Sequence, residues 1–270
     1  MKTRIKTGAL IFIAVCLVLH FSHIPWVLNS AVAVLCMMSV YELYGTIGLQ
    51  HNRKVLVASM LVAVVIALMP MPRYGTVLAV LLPVMMLLFG VLMGRIGKMQ
   101  ELKNWQIMLL AAAVVIFFAA MKHIRLREFG LYELTVGILV CMITDSCAYF
   151  VGSRFGRHKL APKVSPAKSI EGSIGGTVIA AALLLILSGA VQAAGGPEIH
   201  YGKMTVYLVI ASLVGQYGDL CMSAVKRVAG IKDYGNLLPG HGGILDRFDS
   251  QLFVLPFTYL FCTFYGNLYY

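Results

Sequence analysis

The chain has 270 residues, of which 60% are hydrophobic and only 12% are charged. Soluble domains average about 45–50% apolar and about 25% charged residues, and the mean hydropathy of +0.85 departs from them in the same direction. These values exclude a soluble enzyme, a disordered chain and a free nucleic-acid-binding domain. They indicate an integral membrane protein.

Nine apolar runs have, or approach, the length of about 20 residues that a helix needs to cross a bilayer. The first run is long and lacks a small-x-small cleavage site, so we predict a helix rather than a signal peptide. The fold class predicted is therefore all-α and polytopic, with about nine transmembrane helices. The runs lie at 8–28, 29–48, 55–70, 74–93, 105–121, 131–151, 173–194, 204–222 and 250–268.

The basic residues predict the orientation. With the N-terminus in the cytoplasm, 17 of the 22 Lys and Arg residues, Arg95 and Lys98 among them, fall on the cytoplasmic side. Cytoplasmic loops of membrane proteins are enriched in such residues, and anionic headgroups also attract them. We therefore expect a multi-pass protein of the cell membrane. The five on the other side are Arg73, Lys122, Arg125, Arg127 and Lys203, and the 122–127 cluster opposes this orientation.

Two polar segments, 152–172 and 223–249, are long for connections in a compact protein and are therefore candidates for function. Four acidic residues lie where helices meet them: Asp145, Asp219, Asp246 and Asp249. A carboxylate at membrane depth costs roughly 2.5–3.5 kcal/mol on insertion scales. Four that converge on one face indicate a site rather than residues that snorkel to the interface.

Helical spacing supports this interpretation. If the helix of run 204–222 continues further, Asp219, Ser223 and Lys226 share one stripe, and in a helix Asp246, Asp249 and Ser250 do the same. Carboxylates and hydroxyls without a His or Cys cluster suit a hard cation such as Mg²⁺, which keeps waters and shares phosphate ligands. The four acids therefore predict a magnesium site.

Glycines between these acids suggest a phosphate site. The segment Pro239-Gly240-His241-Gly242-Gly243 could be a plain tight turn, or its backbone N–H groups could converge on an anion. The cations Lys226, Arg227, Lys232 and Arg247 around it favour the phosphate interpretation, and Ser165 and Lys168 in the first loop are similar. Neither a Walker A run nor Gly-x-Gly-x-x-Gly occurs, so the site is neither a P-loop nor a Rossmann site.

The second polar segment resembles the signature of phosphatidate cytidylyltransferases, also called CDP-diacylglycerol synthases. It reads Ser223-Ala-Val-Lys226-Arg227-x4-Lys232-Asp233-x-Gly235-x2-Leu238-Pro239-x-His241-Gly242-Gly243-Ile244-x-Asp246-Arg247-Phe248-Asp249. The resemblance extends upstream through Asp145-Ser-x-Ala148-Tyr149-x-x-Gly152, Pro162-Lys-Val-Ser165-Pro166-x-Lys168, Glu171-Gly172 and Gly218-Asp219-Leu220. It covers the C-terminal half, and the first 130 residues resemble the family only in being apolar helices.

The resemblance implies a nucleotidyltransferase that uses Mg²⁺ to convert CTP and phosphatidate into CDP-diacylglycerol and pyrophosphate. Residues 1–130 would then be N-terminal transmembrane helices, and 131–270 a catalytic region whose active site faces the cytoplasm. The expected partners are CTP, phosphatidate and membrane lipids, without nucleic acid, and a homodimer is left open.

Residue roles follow from the same resemblance. Asp219 and Asp246 would hold the metal, with Asp249 and Asp145 near it or on a second cation. The other catalytic candidates are Lys226, Arg247 and His241. The substrate-binding candidates are Ser165, Lys168, Ser223, Arg227, Lys232, Gly240, Gly242 and Gly243.

One position departs from the family's pattern. The residue before Ser223 is commonly acidic in the family, and here it is Met222. Because it lies three residues after Asp219, we expect it to face the site, where a missing carboxylate would weaken the metal site. Two alternatives stay open: a CTP-dependent lipid-alcohol kinase and a transporter, although a transporter would place its polar groups near the midplane.

Overall fold

The structure, a computed structural model, describes residues 2–94 and 102–270, with the backbone alone for residues 2–5. Arg95 and Lys98, two of the cations used for the orientation, lie outside the described residues. The α-helices are α1 (Lys2–His20), α2 (Pro25–Gly45), α3 (Arg53–Leu68), α4 (Tyr74–Gly94), α5 (Asn104–Phe118), α6 (Ala120–Arg125), α7 (Gly130–Phe155), α8 (Ile170–Ala193), α9 (Tyr201–Val228) and α10 (Leu245–Phe264).

Seven helical segments in the described part of the chain are long and apolar enough to cross a membrane. They comprise α1 with the 3₁₀ turn after it, α2, α4, α5 together with α6, α7, α8 and α9. The predicted all-α polytopic membrane fold is confirmed. The exact count stays a prediction, because α3 has only 16 residues and α10 begins with three charged residues, Asp246, Arg247 and Asp249.

Helix ends near the polar segments differ from the prediction. Helix α9 runs to Val228 and α10 begins at Leu245, so the second loop is shorter than 223–249. As a result, Ser223, Lys226, Asp246 and Asp249 all lie within helices, as their spacing required. A span is recognised by its apolar residues, and polar turns that extend a helix beyond the bilayer carry no such signal.

The first polar segment contains a β-hairpin, which the sequence analysis did not predict. Strand β1 (Lys159–Ala161) pairs antiparallel with β2 (Ser165–Ser169), with Lys159 opposite Ser169 and Ala161 opposite Ser165. The Ile170 N–H donates to the His158 carbonyl at 2.9 Å, which joins the hairpin to the start of α8. This hairpin places Ser165 and Lys168 beside the helices that carry the acids.

Helices α7 and α8 pack closely because glycines lie at their contact. A Cβ on Gly176 would lie 2.8 Å from the Cβ of Ala148, and one on Gly172 would lie 2.7 Å from the Ala148 carbonyl oxygen. Small residues at such positions let helix backbones approach in a membrane. The contact fixes Asp145, one turn before Ala148, relative to the hairpin.

The 122–127 cations are engaged within the protein. Lys122 is buried, and its Nζ donates to the carbonyls of Ile66, at 3.2 Å, and Ala67, at 2.8 Å, and to that of Met69. Arg127 pairs with the buried Glu133 at 2.8 Å. These charges therefore stabilise the ends of α3 and α7, which explains their place on the side opposite to most basic residues.

Candidate active site

A cavity of about 710 Å³ opens where α7, the hairpin, α8, α9 and α10 meet. The four predicted acids contribute to its lining, together with three cations and a hydroxyl from the predicted set. These residues are Asp145, Asp219, Asp246, Asp249, Lys168, Lys226, Arg247 and Ser165. Residues from both polar segments, up to about a hundred positions apart, thus converge on one space.

Asp219 lies on α9 and joins it to the hairpin. Its Oδ2 forms an ion pair with the Lys168 ammonium group, and its Oδ1 accepts a hydrogen bond from Ser223 Oγ at 3.2 Å. Asp249 on α10 lines the same cavity as Asp219. Two carboxylates that share a cavity repel each other, so the site favours a cation or a proton near them.

Asp246, in the first turn of α10, already has three donors. Its Oδ1 accepts from Lys226 Nζ at 2.7 Å, and its Oδ2 accepts from the N–H groups of Tyr234, at 2.8 Å, and Gly243, at 2.9 Å. The Asp246 side chain is only 1% exposed. Asp246 therefore closes the loop onto α10 and holds the Lys226 ammonium group at the cavity.

Asp145 and Asp249 are linked through Ser250. Its Oγ donates to Asp145 Oδ2 at 3.2 Å, and its N–H donates to Asp249 Oδ1 at 2.9 Å. Within residues 2–94 and 102–270, no group of three or more His, Cys, Asp or Glu is already arranged to enclose a metal ion. Asp145, Asp219 and Asp249 nevertheless suit Mg²⁺, because that ion binds through one or two carboxylates plus waters and substrate phosphates.

The glycine segment does not line the cavity. Gly240 and Gly242 adopt positive φ angles of 77° and 82° in a tight turn, in which the His241 N–H donates to the Leu238 carbonyl at 2.8 Å. The Gly243 N–H is used by Asp246, and His241 points toward α1, where a Cβ on Gly8 would lie 3.4 Å from its Nε2. The segment thus forms a tight turn in which the Gly243 N–H already has a partner, and a phosphate role for its glycines stays a prediction.

Two of the predicted cations, Arg227 and Lys232, and the predicted Ser223 do not line the cavity. Arg227 donates from Nε to the Val164 carbonyl at 3.1 Å, which attaches the hairpin turn to α9. Lys232 is exposed on the loop before α10. Ser223 is buried and serves Asp219. Their assignment to substrate binding stays a prediction.

Comparison with known proteins identifies the family. The sequence pattern of the Cytidylyltransferase family matches residues 2–265. The chain belongs to this family.

Curated relatives support the assignment over a shorter stretch. A protein of Bacillus subtilis (strain 168) named phosphatidate cytidylyltransferase is 46% identical over 151 residues, which cover 55% of each chain. Proteins of the same name from Staphylococcus aureus (strain COL) and Staphylococcus saprophyticus are 45% and 43% identical over 130 residues, or 48% of each chain. The matches thus span about half the length of these curated relatives.

The departure from the family's signature at Met222 lies outside the cavity. Met222 is 0% exposed and belongs to the hydrophobic core, so the expectation that its side chain faces the site is wrong. Its carbonyl accepts a hydrogen bond from the Tyr234 hydroxyl at 2.8 Å. Burial raises the pKa of Tyr234 well above its ordinary value, so the hydroxyl keeps the proton that it donates.

One buried carboxylate that borders the site escaped the sequence analysis. Glu42 of α2 is 2% exposed and accepts hydrogen bonds from two N–H groups at the start of α10. A signal was available, because Glu42 is an acid within the apolar run 29–48 and such residues are expensive in a membrane. Nothing in the sequence pairs it with a segment 202 positions away.

Proposed function

We propose that this member of the Cytidylyltransferase family transfers CMP from CTP to phosphatidate, releasing CDP-diacylglycerol and pyrophosphate. The cavity carries the proposal: acids and cations that match the phosphatidate cytidylyltransferase signature converge on one space. A site rich in both signs of charge suits a reaction between two phosphate-bearing substrates, since cations bind the phosphates and acids bind their counter-ion. The names of the relatives from Bacillus subtilis and Staphylococcus aureus support the same activity.

The chemistry requires positioning more than acid–base groups. An oxygen of the phosphatidate phosphate, already ionised near neutral pH, forms a bond to the α-phosphorus of CTP, and the bond from that phosphorus to the pyrophosphate oxygen breaks. Alignment for in-line attack and stabilisation of the leaving pyrophosphate charge are the main demands on the protein. No Ser or Cys nucleophile is needed.

The cations of the cavity would meet these demands. Lys226 is held in place by Asp246, so its ammonium group presents a fixed positive charge. Arg247 is exposed and lines the cavity. Its guanidinium group could make paired hydrogen bonds to phosphate oxygens. The Lys168 ammonium group would exchange its partner Asp219 for a substrate phosphate. Both side chains of this ion pair are about a quarter exposed, so a substrate can reach it.

We assign magnesium to Asp219, Asp249 and Asp145. When bound, Mg²⁺ neutralises charge on the triphosphate and on the leaving pyrophosphate. Asp246, the other predicted ligand, is assigned to the support of Lys226 because its oxygens already accept three hydrogen bonds. A second cation, a homodimer and a cell-membrane location with the cavity on the cytoplasmic side remain predictions.

The test is turnover by purified protein in detergent with CTP and phosphatidate. We expect CDP-diacylglycerol and pyrophosphate in equal amounts, loss of both with EDTA, and recovery with Mg²⁺. Glu198→Gln, an exposed acid at the opposite end of the molecule, is the matched control and should retain the full rate. Absence of CDP-diacylglycerol from folded protein at saturating substrates would contradict the proposal.

A further inference from the structure

Glu42, on α2, caps the N-terminus of α10, which lies far away in the sequence. Its Oε1 accepts from the Ile244 N–H at 2.7 Å and its Oε2 from the Leu245 N–H at 2.9 Å. N–H groups in the first turn of a helix lack partners within the helix. At the start of α10, Glu42 of α2 supplies acceptors for two of these N–H groups. A carboxylate at this place also interacts favourably with the positive end of the helix dipole.

The turn before α10 is shaped around this carboxylate. A Cβ on Gly243 would lie 2.5 Å from both Glu42 oxygens, and one on Gly235 would lie 3.2 Å from Oε1. A side chain at Gly243 would therefore displace Glu42. The glycine that the sequence analysis assigned to a phosphate is instead explained by the close approach of Glu42.

The same short segment leads directly into the cavity. Gly243 donates its N–H to Asp246, Asp246 holds Lys226, and Arg247 and Asp249 follow in the next turn of α10. Glu42 and Asp246 thus each hold N–H groups of residues 243–245. If α10 loses one of these attachments, its first turn can shift or rotate, and the charged groups that it carries shift with it.

We infer that Glu42 is a positioning residue for the proposed transfer of CMP, on which this inference rests: from α2 it sets the first turn of α10 and thereby the placement of Lys226, Arg247 and Asp249. It touches no substrate itself. A misplacement of about 1 Å can cost roughly 10²-fold in rate, so the effect on turnover should exceed the effect on substrate binding.

Two variants of Glu42 and one control separate positioning from stability. Glu42→Gln retains one acceptor, but its amide group faces the second N–H of α10, so we expect kcat to fall at least about tenfold, with the KM for CTP changed less than about threefold. Glu42→Asp keeps the charge with a shorter reach and should recover part of the rate. The control is Glu133→Gln, which removes another buried carboxylate far from the cavity and should lower the melting temperature without changing kcat.

Amide hydrogen exchange of residues 242–247 supplies a readout that does not need turnover. We expect faster exchange there in Glu42→Gln than in Glu133→Gln. Wild-type kcat in folded Glu42→Gln, unchanged exchange at 242–247, or an equal loss of kcat in Glu133→Gln would each overturn the inference. If Glu42→Gln does not fold, kcat and amide hydrogen exchange are measured on Glu42→Asp instead. Wild-type values of both in Glu42→Asp would overturn the inference. An inactive wild type with faster exchange in the variant would mean that the proposed function fails while the positioning of α10 holds.

Discussion

Asp219 and Asp246 are both acids at the cavity, and their surroundings differ. Asp246 is buried, with an ion pair to Lys226 and two backbone donors, whereas the Asp219 pair with Lys168 has side chains 22% and 24% exposed. A buried pair that loses one partner leaves an uncompensated charge, which costs about 3–5 kcal/mol. The Asp219–Lys168 pair is partly open to water, which weakens it, so the loss of one partner should cost less there.

This contrast predicts different outcomes for the two Asn variants. Asp219→Asn should lower turnover at least about 10²-fold, as expected when a group that stabilises transition-state charge is lost, with little change in unfolding. Asp246→Asn should lower both turnover and the melting temperature. Turnover and thermal unfolding of the two purified variants, with wild type beside them, check this. Equal melting temperatures, or a near-wild-type rate in Asp219→Asn, would argue against the assignment.

Met222 provides a second residue-scale prediction. Because its side chain is 0% exposed and packs in the core, Met222→Glu should destabilise the protein by roughly 3–5 kcal/mol, the cost of an uncompensated buried charge. It should not tighten the half-saturation by Mg²⁺. Met222→Leu conserves volume and is the control. A stable Met222→Glu protein with tighter magnesium dependence would place this position at the site after all.

At the scale of elements, the apolar runs predicted where helices lie but not where the polar ones end. Asp219 and Lys226 share a helical stripe only if the helix continues past residue 222, and Asp246 and Ser250 only if the next helix begins before residue 250. In the structure α9 runs to Val228 and α10 begins at Leu245. The hairpin was missed because β1 and β2 have only three and five residues, and Pro162 and Pro166 interrupt any alternation of apolar and polar positions. Its pairing depends on contacts with α8 and α9 that no local pattern encodes.

The cap on α3 yields a prediction at this scale. Lys122 donates to three carbonyls at the end of α3, so Lys122→Met leaves buried acceptors without a partner, at a cost of about 1–3 kcal/mol. The control is Lys163→Met, at an exposed position of the hairpin turn. Thermal unfolding in detergent should separate the two variants by several degrees. Matching melting temperatures would show that the cap contributes nothing.

For the whole molecule, the polar groups divide between two ends. The cavity, the hairpin and the 229–244 loop lie at one end, whereas the Arg127 pair and the chain's C-terminus lie at the other, where Arg127 also donates to Asn267 at 2.7 Å. Composition and the apolar runs together predicted a polytopic membrane fold. They could not predict that Glu42, in the half where the sequence offered no motif, would complete the start of α10.

The excess of basic residues at the cavity end predicts the topology. Single cysteines at Lys163 and Asn236, introduced into a chain without other cysteines, should resist a membrane-impermeant thiol reagent added to intact cells. Cysteines at Glu128 and Glu198, exposed at the opposite end, should react. Labelling of the first pair with protection of the second would reverse the orientation.

The proposed function requires that the α-phosphorus of CTP is the atom attacked, and two labelled forms of CTP test this claim directly. Purified protein is incubated with phosphatidate and Mg²⁺, and the lipid fraction is extracted and counted. Label at the α-phosphate should enter the lipid as CDP-diacylglycerol, while label at the γ-phosphate should leave as pyrophosphate. Transfer of the γ-label to a lipid, with the α-label remaining in soluble CDP, would show a CTP-dependent lipid kinase and would contradict the claim.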